Sequence, residues 1–230
     1  MEKLKLLPKK KKSLNLSAET GFFRAGFGAI IGVDEAGRGP LAGPVVAAAA
    51  AILPFTASDF AGLIGVARDS KQMSATAREI AYEMIINHPK IICASAAAGH
   101  KTIDRINILQ ASKLAMRNAV KKIKKMMGER ISDNKIICLV DGNFSIGIPY
   151  VQKSIIGGDG KVFLIAAASI VAKVRRDRLM KKMDKLYPEY GFARHKGYGT
   201  KQHLAAIEKH GPCPIHRRTF SPIAARVARN

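Results

Sequence analysis

Asp34 and Glu35 directly follow the apolar run Ile30-Ile31-Gly32-Val33, and Asp141 follows a second run, Ile136 to Val140. The chain holds 17 acidic residues against 39 basic ones, so acids at the ends of apolar strands are not there to balance surface charge. If the two strands are neighbours, three carboxylates meet at one sheet edge, and Asp159, just ahead of a helical stretch, supplies a fourth. Carboxylates that close repel unless cations intervene or some keep their protons. An oxygen-only ligand set favours Mg²⁺ or Mn²⁺ over zinc. Two such ions, ~3.5–4 Å apart, would suit phosphodiester cleavage, one generating hydroxide from water and the other stabilising the leaving oxygen. Each acid alone reads equally well as a turn cap or loop residue; the four together in a basic chain do not. Adjacent strand residues face opposite ways, so Asp34 and Glu35 share a site only where the strand ends or bends. Gly37 and Gly39 allow such a bend.

The turn itself, Gly37-Arg38-Gly39-Pro40, is not a dinucleotide fingerprint. Gly37, Gly39 and Gly43 give G-x-G-x-x-x-G, and two carboxylates just before the turn would repel a pyrophosphate. What the turn offers is close approach of backbone N–H and C=O groups to a substrate. Asp177, in Arg176-Asp177-Arg178, is the rival fourth acid, but its flanking arginines point to a helix-surface ion pair. His195, His203, His210 and His216 cluster in sequence without an accompanying acid motif, which favours packing or duplex contacts over zinc.

Positioning these groups requires a modest domain. The 230 residues fit one domain, 24–230, after a lysine-rich stretch, 1–23, that reads as a disordered tail. A formal net charge of +22 points to a polyanionic partner. Three scattered cysteines, Cys93, Cys138 and Cys213, argue against disulfides or a zinc quartet and fit a reducing, cytoplasmic setting. Apolar runs are too short for a membrane span. Strands are predicted near Ala29–Val33, Pro44–Leu53, Lys90–Ala98 and Ile136–Val140. Helices are predicted over Ala77–Asn87 with Thr76 and Glu79 as a capping box, Ile103–Met126, Ile165–Leu186, and Lys201–Lys209 capped by Thr200. Ile106, Leu109, Leu114 and Val120 are the expected inward positions of the long basic helix. Residues 142–160 read as loop. Strands first and helices interleaved later indicate an α/β domain with a mixed sheet.

The segment Gly32-Val33-Asp34-Glu35-Ala36-Gly37-Arg38-Gly39-Pro40-Leu41-Ala42-Gly43-Pro44-Val45-Val46 resembles the signature of ribonuclease HII. Further blocks match that family in order: Asp69-Ser70-Lys71, Ile103 to Ser112, Leu139-Val140-Asp141-Gly142, Ile165 to Val174 followed by Arg176-Asp177-Arg178, His195 to Thr200, and Pro214 to Arg218. The resemblance implies a ribonuclease H-like mixed β-sheet flanked by helices, with a small helical C-terminal part from about residue 187. It implies hydrolysis of RNA in RNA–DNA hybrids and at single ribonucleotides in duplex DNA, cutting on the 5′ side to leave 3′-hydroxyl and 5′-phosphate ends. By position it makes Asp34, Glu35, Asp141 and Asp159 the metal-binding acids. Gly37, Arg38 and Gly39 become the turn that reads the 2′-hydroxyl, and Tyr198 the ring that stacks on the next deoxyribose.

Lys71, Lys173 and Arg217 are the expected phosphate or active-site neighbours. The fourth acid departs from the family's Lys-Gly-Asp, since Gly157 stands where the lysine would be. No aromatic clamp-binding peptide is evident, and a monomer is expected. A basic binder without catalysis and a DNA resolvase on the same fold compete less well. The acid set would weaken a pure binder, and the glycine turn with Tyr198 suits 2′-hydroxyl reading. Ribonuclease HIII would need a longer N-terminal domain and lacks Gly-Arg-Gly.

Overall fold

The computed structural model describes residues 14–64, 73–129 and 131–227. Its centre is a five-stranded mixed sheet formed by β1 (Ala29–Ala36), β2 (Val45–Ile52), β3 (Ile92–Ala98), β4 (Ile136–Asp141) and β5 (Val151–Ile155), ordered β3-β2-β1-β4-β5. β1, β2 and β3 form an antiparallel meander, while β4 and β5 run parallel to β1. The helices are α1 (Ser17–Arg24), α2 (Ala61–Ile64), α3 (Ala75–Ile86), α4 (His100–Met127), α5 (Phe163–Leu186), α6 (Phe192–His195), α7 (Lys201–His210) and α8 (Ile223–Val227).

Every residue of β2 is buried, which explains why its alanines serve a strand: small side chains let helices pack closely on both faces. One face, with Ile30, Ala48, Ala50 and Leu139, packs under Leu164, Ala167, Ala168 and Val171 of α5. The other, with Ile31, Val33, Ala47 and Val140, packs under Ala111, Ala115, Ala119 and Val120 of α4. A third cluster joins Leu41 and Met180 to Tyr190, Phe192, Ile207 and Ile223 of the C-terminal helices.

Four expectations need correction. Residues 1–13 lie outside the described residues, but 17–23 are not tail: α1 packs Phe22 and Phe23 on the α5-side core and buries Glu19, whose Oε1 accepts the Leu164 N–H at 3.0 Å. α3 is capped by Ser74, whose hydroxyl accepts the Ala77 N–H, not by a Thr76 box. The loop over 142–160 contains β5, a mostly exposed edge strand. In α4, Ile103, Ala111, Met116 and Ile123 are buried, whereas Ile106, Leu109 and Leu114 are only partly so, because the helix kinks at Asn107 and its face rotates there.

Candidate active site

The register of the sheet places the first three acids. Val33 pairs with Val140 in the parallel β1–β4 ladder, so Asp34 and Asp141 lie side by side one residue further on. Asp34 sits opposite Ala48, which faces α5, and accepts a hydrogen bond from Ser169 of that helix. Glu35 is next to last in β1, where the strand gives way to the turn. Its carboxylate therefore reaches Arg38, whose Nη1 donates to Glu35 Oε1 at 3.3 Å. The backbone N–H of Glu35 donates to Asp34 Oδ1 at 2.7 Å.

Burial and mutual repulsion set the protonation of this group. Asp34 is 4% exposed; burial first, then the Glu35 and Asp141 charges, hold its carboxyl well above the usual carboxylate range. Burial and the Asp141 charge also raise Glu35, against the pull of Arg38. Glu35 Oε2 is buried and has no hydrogen-bond partner. Asp159 is buried in the short 3-10 turn Gly158–Gly160 that leads into α5. That turn is tied to the other acids, since the Gly158 N–H donates to Asp141 Oδ1 at 2.6 Å.

The donor set fits a hard divalent cation: all oxygen, crowded, with a buried oxygen left unpartnered. Among the described residues no three His, Cys, Asp or Glu side chains form a closed cage. A Mg²⁺-like ion does not require one, because it is held by one or two carboxylates completed by water and substrate phosphate.

Beside the acids, Gly37 has φ +97, a conformation side chains rarely adopt, and turns the chain back past Pro40. A Cβ on Gly39 would lie 3.7 Å from Tyr198 Cε1, so the tyrosine ring flanks the turn. Tyr198 is 45% exposed and free to meet a ligand.

Other sequence-derived candidates land differently. Arg217 is fully buried; its guanidinium donates to the carbonyls of Gly37, Arg38 and Gly43, so it braces the turn and cannot meet a phosphate. Lys173, one helical turn after Ser169, is ion-paired with Asp177 at 2.7 Å. Asp177 also faces Arg78 at 3.8 Å, so its partners are not the flanking arginines. Arg178 instead pairs with Glu79 and Glu83. Arg176 is buried and donates to the carbonyls of Ala42, Pro44 and Lys196. Lys71 lies outside the described residues. Ser169 and the bracing roles of both arginines were missed.

A family model for ribonuclease HII matches residues 31–223. The chain belongs to the ribonuclease HII family. A ribonuclease HII of Endomicrobium trichonymphae is 48% identical over 208 residues, 90% of this chain and 92% of the relative. A ribonuclease HII of Methylibium petroleiphilum is 50% identical over 198 residues, 86% of this chain and 92% of the relative. The ribonuclease H2 of Pyrococcus horikoshii superposes with a TM-score of 0.64 at 26% identity, covering 87% of this chain and 98% of that one. A Bst ribonuclease HIII solved with Mn²⁺ shares the fold, with a TM-score of 0.66 at 16% identity, covering 87% of this chain and 69% of that one. Membership of the ribonuclease HII family makes this chain a ribonuclease H endonuclease on a mixed five-stranded sheet. Among the described residues no helix is long and apolar enough to cross a membrane.

Proposed function

We propose that this ribonuclease incises RNA–DNA hybrids and duplex DNA carrying single ribonucleotides, on the 5′ side of the ribonucleotide, leaving 3′-hydroxyl and 5′-phosphate ends. Asp34, Glu35, Asp141 and Asp159 hold Mg²⁺ or Mn²⁺. The observation that carries this reading is the buried, mutually repelling carboxylate group with its unpartnered Glu35 Oε2, set beside a tight glycine turn. Those carboxylates would hold two divalent cations, which would supply an activated water and stabilise the leaving 3′-oxygen.

The chain's own groups do the rest. Arg38 holds the outer side of Glu35, and Ser169 and the Glu35 N–H orient Asp34. The Gly158 N–H fixes Asp141 through Oδ1. A 2′-hydroxyl both donates and accepts hydrogen bonds and is the group that separates RNA from DNA. Backbone groups of Gly37, Arg38 and Gly39 approach it without a Cβ in the way at either glycine. Tyr198 beside Gly39 stacks on the following deoxyribose and so reports the RNA-to-DNA junction. The net charge of +22 supplies salt-dependent attraction to the duplex.

The test is a labelled DNA duplex with one ribonucleotide, incubated with Mg²⁺, Mn²⁺ or EDTA beside an all-DNA control. Metal-dependent cutting 5′ to the ribonucleotide, abolished by Asp34→Asn, is the expected result. Tight binding without cutting under either metal would remove the proposed catalytic assignment of these acids.

A further inference from the structure

We propose that the adjacent residues His216 and Arg217 are positioning residues that tie the glycine turn to Tyr198 and so set how well the enzyme recognises an RNA-to-DNA junction. This rests on the reading of Tyr198 and the turn given above. From Arg217, the guanidinium Nη2 donates to Gly37 O at 2.6 Å, Nη1 to Arg38 O at 2.7 Å and Nε to Gly43 O at 3.1 Å. None of these bonds goes to a carboxylate, so the whole fork is used in shaping the turn. From His216, Nε2 meets Nε2 of His203 at 3.0 Å, and His203 Nδ1 meets the carbonyl of Tyr198 at 2.9 Å. The two ties therefore leave neighbouring residues and end on the two elements that flank the substrate.

The hydrogens in the tie follow from its ends. A carbonyl only accepts, so His203 Nδ1 carries the hydrogen. Burial pulls both rings down to about 4, so they are neutral at working pH. A neutral His203 then presents a bare Nε2 to Nε2 of His216, whose Nδ1 lies 3.2 Å from the Cys213 carbonyl; two neutral rings carry two hydrogens for these three contacts, so His216 donates to His203 only by leaving the Cys213 contact without one. His203 is held flat against His195, with ring centroids 4.4 Å apart, and edge-on to Phe192 at 5.4 Å. It has no freedom to seek another partner. The backbone repeats the link: Arg217 N–H donates to Leu41 O and Leu41 N–H to Gly197 O, each at 2.8 Å.

Such a tie ends on main-chain carbonyls rather than on reacting groups. Loosening it moves the Tyr198 ring relative to Gly39 while leaving the four acids in place. The expected signature is a loss of junction preference rather than of cleavage as such.

The test compares single-turnover cleavage by the full chain on two duplexes, one with a single ribonucleotide followed by DNA and one with a uniform RNA strand. His203→Leu removes the side-chain donor to the Tyr198 carbonyl, leaving it only the Thr200 N–H at 2.8 Å, and His203→Asn restores an N–H near the Nδ1 position. His203→Leu should lower the ratio of junction to uniform-RNA rates at least about tenfold, since an ångström of misplacement costs up to about 10²-fold. His203→Asn should recover most of that ratio. In a Tyr198→Ala background His203→Leu should change the ratio no further, because both changes remove one effect. If His203→Leu does not fold, His216→Leu is read in the same way, with folding checked by thermal melting. Equal loss on both substrates, or effects that multiply in the Tyr198→Ala background, overturns the positioning role alone. Wild-type protein that cuts neither duplex refutes the functional reading and takes this proposal with it.

Discussion

Among the described glycines, Gly32 is where neighbouring backbone leaves least room. It lies in the middle of β1 beneath the start of α5, and a Cβ built there would stand 2.3 Å from the carbonyl carbon of Leu164, 2.5 Å from its oxygen and 2.6 Å from the nitrogen of Ile165. Ordinary contact begins at 3.4 Å, so in Gly32→Ala the first turn of α5 must withdraw by about 1 Å. The colliding atoms are backbone and have no rotamer to escape into. Overpacking of this kind costs ~1–3 kcal/mol, here at the upper end. For a chain of this size that lowers the melting temperature by about 5–10 °C. The movement also reaches the chemistry, because the Asp159 turn runs straight into α5 and Ser169 on that helix holds Asp34. A displacement of about 1 Å is worth about 10²-fold in rate. Thermal melting and single-turnover cleavage measure the two effects. Gly21→Ala, on α1 where a Cβ meets nothing within 4 Å, is the matched control and should be neutral or stabilising by up to ~1 kcal/mol. A Gly32→Ala protein with the wild-type melting temperature and rate would refute the account of how α5 seats the site.

Asp34→Asn should abolish cleavage yet raise the melting temperature in chelator at neutral pH. The folded-state pKa of Asp34 is raised, so its stabilising contribution is present below the unfolded pKa and lost as pH rises through the folded one. The advantage of Asn should therefore shrink as pH falls, and a variant less stable than wild type at pH 7.5 would refute the repulsion argument. Asp177→Asn should cost under ~1 kcal/mol and leave the response to Mg²⁺ intact, since Asp177 is committed to Lys173 and Arg78. Loss of that response, followed by Mg²⁺-induced shifts in melting temperature, would make Asp177 rather than Asp159 the fourth acid. Glu19→Ala leaves the buried Leu164 N–H without an acceptor and should cost ~1–3 kcal/mol in a denaturant titration. Glu19→Gln keeps an acceptor oxygen; because burial raises the Glu19 pKa, it should be at least as stable as wild type at neutral pH.

The parts of the fold legible in the sequence are those where local pattern and global role agree. β1 and β4 are continuous apolar runs closed by acids, so both the strands and the pairing of Asp34 with Asp141 could be anticipated. α7 announced its start, since the Thr200 hydroxyl does accept the His203 N–H. β5 did not, because Val151-Gln152-Lys153-Ser154-Ile155 lies at a sheet edge and is mostly exposed, leaving no apolar signature. Gln152 instead organises the preceding loop, accepting the Ile146 N–H and donating to Ile148 O. Arg176 and Arg217 were illegible for a different reason. Arginine is seldom fully buried unless paired, and their acceptors are backbone carbonyls, mostly more than a hundred residues away along the chain.

Those two arginines also explain how a chain this basic keeps its acids available. A guanidinium in salt-bridging contact with Asp34 or Asp141 would neutralise the carboxylates that a cation needs. Arg176 and Arg217 are held away from them, behind the turn, with each fork filled by carbonyl oxygens. Burial, and for Arg217 the charge of Arg176, pull both pKa values down; a compact turn is what holds two such charges in place. In return, carbonyls bonded to a charged donor polarise their peptide groups, which strengthens the N–H donors on the outer side of the turn. The positive charge is thus passed to the substrate side as oriented N–H dipoles rather than as a salt bridge. Arg217→Met should accordingly weaken binding of the ribonucleotide-bearing duplex more than binding of all-DNA duplex. Equal weakening of the two in Ca²⁺, measured by fluorescence anisotropy, would show that Arg217 contributes only bulk stability.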